Sequence, residues 1–296
     1  LEVDISKESL EVYKALASST RLQIIQLISE HQLSASEIAQ HLNLSNSITL
    51  MHLNKLADAG LIQFKRHGHK KISVLKVDQI NVHFPNLIYP QFQTYVTEVP
   101  VGHYTNYSVT PSCGLAGATN YIGKVDTPAY FMDPNRMNAH MIWWTDGFVE
   151  YHFPNYLKPD DQLEMLDLSV ELGSEFPFSN NVWPSDITTS INNVEIGTWT
   201  STGDFSDIRG KFTPKWVPDN VNQYGVLKTF RITNHGSYLD GQPFSEICLS
   251  DLNATSPTVS VRFAIKENAN HKGGCTIFGR GFGNYDQDIQ MKLFYS

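Results

Sequence analysis

The sequence predicts a two-domain α+β chain, with an N-terminal winged helix-turn-helix followed by an antiparallel, jelly-roll-like β-sandwich. Three observations predict it. Residues 34–71 read as helix, tight turn, second helix and basic hairpin, in that order. Beyond Pro111 apolar and polar residues alternate with a period of two over many short runs. Between these regions Pro85, Pro90, Pro100 and Pro111 break any long helix and mark a transition. The expected division is residues 1–80 for the winged helix, 81–110 for a connecting segment and 111–296 for the sandwich.

Composition sets the outer bounds. A chain of 296 residues is long for one core and comfortable for two. Hydrophobic residues make up 41%, too many for a disordered chain. No apolar run is long enough to span a bilayer, and the opening LEVDISKESLEVYK lacks the basic start and apolar stretch of a secretory signal. A cytoplasmic location with no membrane partner is therefore expected. The three cysteines, Cys113, Cys248 and Cys275, are scattered and form no CxxC pair, so they are expected as free or buried thiols. Residues 1–80 carry 9 Lys/Arg against 8 Asp/Glu, whereas residues 81–296 carry 13 against 22. The useful positive field is local: Lys65, Arg66, Lys70, Lys71 and Lys76 fall in one stretch that contains no acid.

Taken in order, the first helix runs over Glu8 to Ala17, with Leu10, Tyr13, Leu16 and Ala17 on its inner face. Ser19 or Thr20 caps the second, whose Leu22, Ile25 and Ile28 repeat at helical spacing, with Ile24 and Leu27 widening the stripe. Ser34 followed by Glu37 is a capping-box pattern opening a third helix with Ile38, Ala39 and Leu42 inward. Asn43 and Leu44 make the turn. A fourth helix starts at Ser45 or Asn46 and places Thr49, Leu53, Leu56 and Ala59 on one side, with Gly60 as its C-cap. Leu61–Lys65 and Lys71–Leu75 then read as two strands joined by a wing tip at Arg66–Lys70.

This segment resembles the winged helix-turn-helix of the ArsR/SmtB-type bacterial repressors. The resemblance is carried by Thr20-Arg21-Leu22, Ile38-Ala39 with Leu42, Leu44-Ser45, His52-Leu53 with Leu56, and Ala59-Gly60-Leu61-Ile62. It implies a DNA-binding regulator, acting as a homodimer on a pseudo-palindromic operator in double-stranded DNA. Helical geometry puts Ser45, Asn46, Ser47, Leu50, Met51 and Asn54 on the DNA-facing side of the fourth helix. His52 and Lys55 are expected to flank it near phosphates, with Arg66, His67, His69, Lys70 and Lys71 on the wing. Positions 50 and 51 are usually polar or histidine in the family and are Leu and Met here. Either they meet thymine methyls or the helix packs more deeply. Many relatives sense metals through cysteines or clustered His and acids. The first 112 residues hold no cysteine, so no metal site is expected, and no cofactor either.

In the C-terminal part, Leu166, Leu168, Val170 and Leu172 alternate with polar residues, as do Val259, Val261, Phe263 and Ile265, and Ile289, Met291 and Leu293. Asp146-Gly147 and Asn192-Asn193 read as hairpin turns. The texture resembles carbohydrate-binding, galactose-binding-like sandwiches, which implies a sugar or oligosaccharide effector. Trp143, Trp144, Trp183, Trp199, Trp216 and Tyr224 offer flat faces to a sugar ring. Asp204, Asp207, Arg209, Asn222, Lys228, His235, Arg280 and Asn284 offer hydrogen bonds, with Gly203–Gly210 as the leading ligand loop. Within this set Trp144, Trp199, Asp204, Asp207, Arg209, Trp216, Tyr224 and Arg280 are the ligand candidates. Core packing and turn capping are the competing roles for each. Gly279, Gly281 and Gly283 lack the spacing and following helix of a dinucleotide fingerprint. A carboxylate pair such as Glu150 and Glu171 could serve a glycosidase, but no spacing singles out a pair. No catalytic residue is assigned, and no enzyme is expected. The expectation is a ligand-controlled repressor; a sandwich serving only as a dimerisation or docking scaffold is the alternative.

Overall fold

A computed structural model describes residues 1–31, 33–67, 70–77, 79–83, 92–254 and 256–296. The chain divides into two compact units, Leu1–Gln91 and Phe92–Ser296.

The first unit carries four helices among its described residues: α1 (Leu10–Leu16), α2 (Ser19–Glu30), α3 (Ala35–Leu42) and α4 (Asn46–Asp58). Short strands β1 (Glu2–Asp4) and β5 (Asn81–His83) pair in parallel, while β2 (Leu33–Ser34), β3 (Ile62–His67) and β4 (Lys70–Leu75) form a sheet in the order β2-β4-β3. The helix ends obey local chemistry. Ser34 donates its backbone N–H to Glu37 Oε2 at 2.8 Å and its hydroxyl to the same oxygen at 2.6 Å, which opens α3. Asn43 takes the left-handed conformation at φ +58°, and Ser45 Oγ accepts from Ile48 N at 3.3 Å to open α4. At the far end Gly60, at φ +73°, sends its N–H to Ala57 O, and Leu61 N reaches Leu56 O. That is a Schellman close, which a left-handed glycine permits.

Ile24, Ile28, Ile38, Leu53 and Leu56 form the core of this unit. The expected face of α2 is rotated. Leu22 is 45% exposed, and the buried line is Arg21, Ile24 and Ile28. Arg21 faces inward because it donates from Nε to Ala15 O and from its guanidinium to Lys14 O, both at 2.6 Å. It satisfies carbonyls that α1 leaves open at its C-terminus. On α1 the buried residues are Val12 and Ala15, and Leu10 is exposed.

The second unit is antiparallel throughout its described pairings. Its five-stranded sheet has the order β13 (Val194–Ser201), β12 (Ser185–Ile191), β17 (Thr258–Ile265), β10 (Gly147–Pro154), β7 (Asn106–Val109). The larger sheet runs β16 (Gln242–Ser245), β15 (Gly236–Leu239), β14 (Val226–Thr233), β11 (Leu163–Gly173), β18 (Cys275–Phe278), β9 (Met141–Trp144), β8 (Cys113–Ala116). The first part of β11 also pairs with β19 (Ile289–Tyr295), which pairs with β6 (Gln93–Val99). Residues 93–109 thus supply two strands within the stretch read from sequence as a connection. One core joins the sheets: Val149, Tyr151 and Phe153 of β10 and Val261 and Phe263 of β17 cluster with Leu166, Leu168 and Val170 of β11.

The Asn192-Asn193 turn joins β12 to β13 with both residues at positive φ, +49° and +64°, as a two-residue hairpin requires. Asp146-Gly147 does not make a hairpin. β9 pairs with β8 and β18 and β10 with β7 and β17, so this turn passes the chain from one sheet to the other. β9 is tied on both edges within its own sheet, by β8 and β18, and has no edge left for β10.

Candidate nucleic-acid interface and ligand cavity

On α4 the side that faces away from the core is made of Asn46, Ser47, Leu50, Met51, Asn54 and Lys55, all exposed, with Ser45 exposed at its cap. Thr49, Leu53 and Leu56 hold the opposite side in the core. Leu50 and Met51 are 44% and 46% exposed, so the helix is not packed more deeply at these positions. His52 departs from the expected flanking position. It is half-buried, and its Nδ1 is enclosed without a hydrogen-bond partner. Desolvation, then the Arg21 and Lys55 charges, hold its pKa below the usual histidine value, so it is neutral rather than a phosphate-seeking cation.

The wing hairpin is registered from Ile62 opposite Leu75 to His67 opposite Lys70. Arg66 faces Lys71 directly across the strands, and Lys71 Nζ lies 4.0 Å above the Phe64 ring. Two cations in one cross-strand pair repel each other unless an anion meets them. Lys70 is already met: its Nζ lies 2.5 Å from Glu37 Oε1. That bond, with help from Ser34, pulls the Glu37 carboxyl down to about 2. His69 lies outside the described residues, as does the side chain of His67.

The second unit does not gather its ligand candidates into one site. Trp144 is fully buried in the core between the sheets. Trp199 is covered by Lys228, whose ammonium lies 4.7 Å from the ring centroid and is held by Asp240 Oδ2 at 2.6 Å. Trp216 donates from Nε1 to Ala118 O at 2.9 Å and meets Tyr121 edge-on. Arg209 staples a loop, donating to Pro214 O and Val217 O at 2.9 Å each and pairing with Asp219. Arg280 is engaged by Glu98 at 2.5 Å and Asp288 at 3.7 Å. Asp207 and Tyr224 do meet, the phenol donating to the carboxylate at 2.7 Å while its ring stacks on Phe205. Trp144 is packed in the core with its Nε1 unpartnered, and the other side chains named here are engaged by neighbouring protein groups, the structural role weighed against them.

The carboxylates considered for catalysis are also committed. Glu150 pairs with Arg262 at 2.6 Å on the smaller sheet. Glu171, on the larger, accepts backbone N–H groups of Gly225, Asn284 and Tyr285. Gly283 allows this, since a Cβ there would lie 2.3 Å from Glu171 Oε1.

What the sequence reading missed is a cavity of about 240 Å³ beside β9 and β18. Its wall includes Tyr121, Trp143, Phe176 and Phe178 with Ser112, Glu175, Asn222 and Thr276. Asp204 lies behind it, fully buried, with Oδ2 accepting from Phe176 N at 2.9 Å and Oδ1 without a partner. Burial pushes the Asp204 carboxyl up to about 8. Glu175 is raised well above the usual carboxylate range by burial, with Asp204 and Asp126 adding to it and the Ser112 hydrogen bond opposing. The sequence signal for it, which the sequence reading did not use, is the acid Glu175 set directly before Phe176-Pro177-Phe178. Among the described residues no three His, Cys, Asp or Glu side chains converge to hold a metal ion, and no helix is long and apolar enough to cross a membrane.

Comparison with known proteins bears on the first unit. Residues 18–63 match the family model described as "Bacterial regulatory protein, arsR family". The chain is similar to the homodimeric winged helix-turn-helix DNA-binding domain Mb0332 of Mycobacterium bovis, described as a possible ArsR-family transcriptional regulator. The identity is 25% over 24% of this chain and 67% of that one, with a TM-score of 0.23. HlyU from Vibrio cholerae is 28% identical over 25% of this chain and 84% of its own, with a TM-score of 0.23. The Agl-KA catalytic domain aligns with 72% of this chain and 30% of that one at 9% identity and a TM-score of 0.26, which carries no argument. No curated protein matches the chain. On the family match, residues 18–63 are an ArsR-family helix-turn-helix domain, carried in a winged unit and followed by a large antiparallel β-sheet region.

Proposed function

We propose that the chain is a sequence-specific DNA-binding transcriptional regulator, a homodimeric repressor whose second unit binds a small polar ligand. The observation that carries this reading is the outward side of α4 within an ArsR-family domain. Asn46, Ser47 and Asn54 offer donors and acceptors for base edges there, and Leu50 and Met51 offer apolar contact for thymine methyls. Arg66 and Lys71 supply the adjacent positive charge. Leu10 and Leu22 leave apolar surface on α1 and α2 that a second copy would cover. The ligand acts by favouring one arrangement of the two readers over another, within the limit of its differential affinity, typically ~1–3 kcal/mol. A sugar is the second reading for the effector; the Trp143 ring and the Asn222 amide, both in the cavity wall, favour it. We read the double-sheet region as the jelly-roll-like sandwich that holds this ligand.

Selection of bound duplexes from a random pool by the full chain tests the reading. Enrichment of a two-fold symmetric site, with half-sites spaced by whole turns of DNA, is expected. An unenriched pool with salt-independent binding would remove DNA recognition from the chain.

A further inference from the structure

Two polar side chains in the wall of this second-unit cavity present acceptor atoms. Glu175 accepts the Ser112 hydroxyl on Oε1 at 2.8 Å, and its Oε2 has no hydrogen-bond partner among the described residues. Asn222 donates from Nδ2 to Ser174 O and Thr276 Oγ1, both at 3.1 Å. A backbone carbonyl can only accept, so this bond fixes the amide orientation and leaves Asn222 Oδ1 as an acceptor without a partner. Both side chains are more than nine-tenths buried, Glu175 at 8% and Asn222 at 3% exposed. An enclosed acceptor with no donor is costly, so a ligand that brings a donor to Asn222 Oδ1 relieves that cost and meets the Glu175 carboxyl in the same wall.

The remainder of the wall sets the ligand's charge and shape. Among the described residues no Lys, Arg or His lines the cavity, and Tyr121, Trp143 and Phe176 bring aromatic rings to it. Asp126 lies on the rim, adding a second acid to the lining. Rings of this kind attract a cation over their faces. An anion would meet two acids and no compensating charge. A sugar hydroxyl can donate to the same oxygens but brings no positive charge to the acids or to the ring faces. The volume, about 240 Å³, suits a small body. At the rim, Phe178 is 69% exposed with φ at +82°, an uncommon backbone state for a bulky residue, and it presents apolar surface where a ligand would enter.

We propose that this cavity binds a small organic ammonium, a protonated primary amine on a short apolar or aromatic body, with Glu175 and Asn222 receiving its N–H groups. The proposal rests on the reading of the second unit as the ligand-binding unit and names the chemical class that the unit takes. The titratable groups facing Glu175 are Asp126, Asp204, Tyr121, Cys113 and Cys275. Burial and the neighbouring acids keep the Cys113 thiol up at about 11, and Cys275 is likewise raised by burial, so neither supplies a negative charge near neutrality. Burial biases the empty Glu175 carboxyl toward its neutral form, and an arriving ammonium favours the carboxylate, so affinity rises with pH through the Glu175 titration until the amine itself deprotonates.

The experiment is calorimetry and thermal shift on the full chain with butylamine and 2-phenylethylamine, each beside its neutral alcohol, and with glucose. The amines should bind and raise Tm, the alcohols and glucose should be silent, and the binding heat should change with the buffer's ionisation enthalpy. Glu175→Gln should weaken amine binding by at least about tenfold, the equivalent of about 1.4 kcal/mol. Val221→Trp, which fills the cavity from its wall, serves as the second variant should Glu175→Gln lower the ligand-free melting temperature. Silence of both amines, binding unchanged in both variants, or glucose binding without amine binding overturns the proposal. Operator binding by the ligand-free chain is measured in parallel. Its loss alone defeats the regulator reading and leaves the cavity assignment, whereas intact operator binding with silent amines defeats the cavity assignment alone.

Discussion

Lys70 on β4 is tied to Glu37 in the first turn of α3, Nζ to Oε1 at 2.5 Å, so the wing is pinned to the helix-turn-helix by an ion pair. The same carboxylate closes the Ser34 capping box through its other oxygen. One side chain thereby fixes both the start of α3 and the approach of the hairpin. It also removes Lys70 from the set of cations free to meet phosphate.

The wing prediction follows from that pairing. Lys71→Ala and Arg66→Ala should each reduce the slope of log K against log salt by about 1 and weaken all sequences alike. Lys70→Ala should change the slope less than either, because Lys70 is already occupied by Glu37 and neutralises no phosphate. Equal slopes for the three variants would show that Glu37 does not hold Lys70 in solution.

On α4 the expected effect is on preference rather than on strength alone. Exchanging Asn46 or Ser47 should alter the bases selected, at about 1–3 kcal/mol for a lost bidentate contact. Met51→Ala should lower selection for thymine at one position. His52→Ala should leave the salt slope unchanged, since the ring is neutral and half-buried. Uniform loss at every site for the Asn46 and Ser47 variants would argue that they touch phosphate only.

The legible parts of this chain are those whose signals are local. Ser34 with Glu37, Asn43, Ser45 and Gly60 each act within one turn of backbone, and each sits where its chemistry requires. The face of α2 was not legible, because Leu22, Ile24, Ile25, Leu27 and Ile28 allow several phases. Arg21 decides between them by reaching carbonyls on another helix. The cavity was not legible for a related reason. Trp143 and Trp144 are neighbours on β9, so they point to opposite faces, and nothing local says which face is core. Trp144 joins the central core, and Trp143 lines the cavity. Asn222 was among the candidate polar groups, but its meeting with Glu175 depends on contacts between residues far apart in sequence.

Trp144 therefore tests core against ligand contact. Trp144→Ala should destabilise the second unit by about 3–5 kcal/mol, the cost of a large cavity in a packed interior. Trp143→Ala should cost less stability and change ligand binding instead. Denaturant melts of both variants check this, and a small loss for Trp144→Ala with altered ligand binding would reverse the assignment.

The final prediction concerns pH. The fold favours the neutral form of Asp204, whose pKa stands at about 8 against an ordinary 3.8, chiefly through burial. Its contribution to stability is complete below the ordinary value and is lost as pH rises through about 8. Glu175, also raised by burial, acts in the same direction. Asp204→Asn keeps an acceptor for Phe176 N and removes the ionisation. The wild-type melting temperature should fall between pH 5 and pH 9, while that of Asp204→Asn should fall less, with a gap of at least about 1 kcal/mol above pH 8, or roughly 2–4 °C for a unit of this size. Glu175 accounts for the slope that persists in the variant, and Asp204→Asn combined with Glu175→Gln should flatten it further. Parallel curves for wild type and Asp204→Asn would mean that Asp204 ionises without strain, and that the acids behind the cavity wall are not held neutral by the fold.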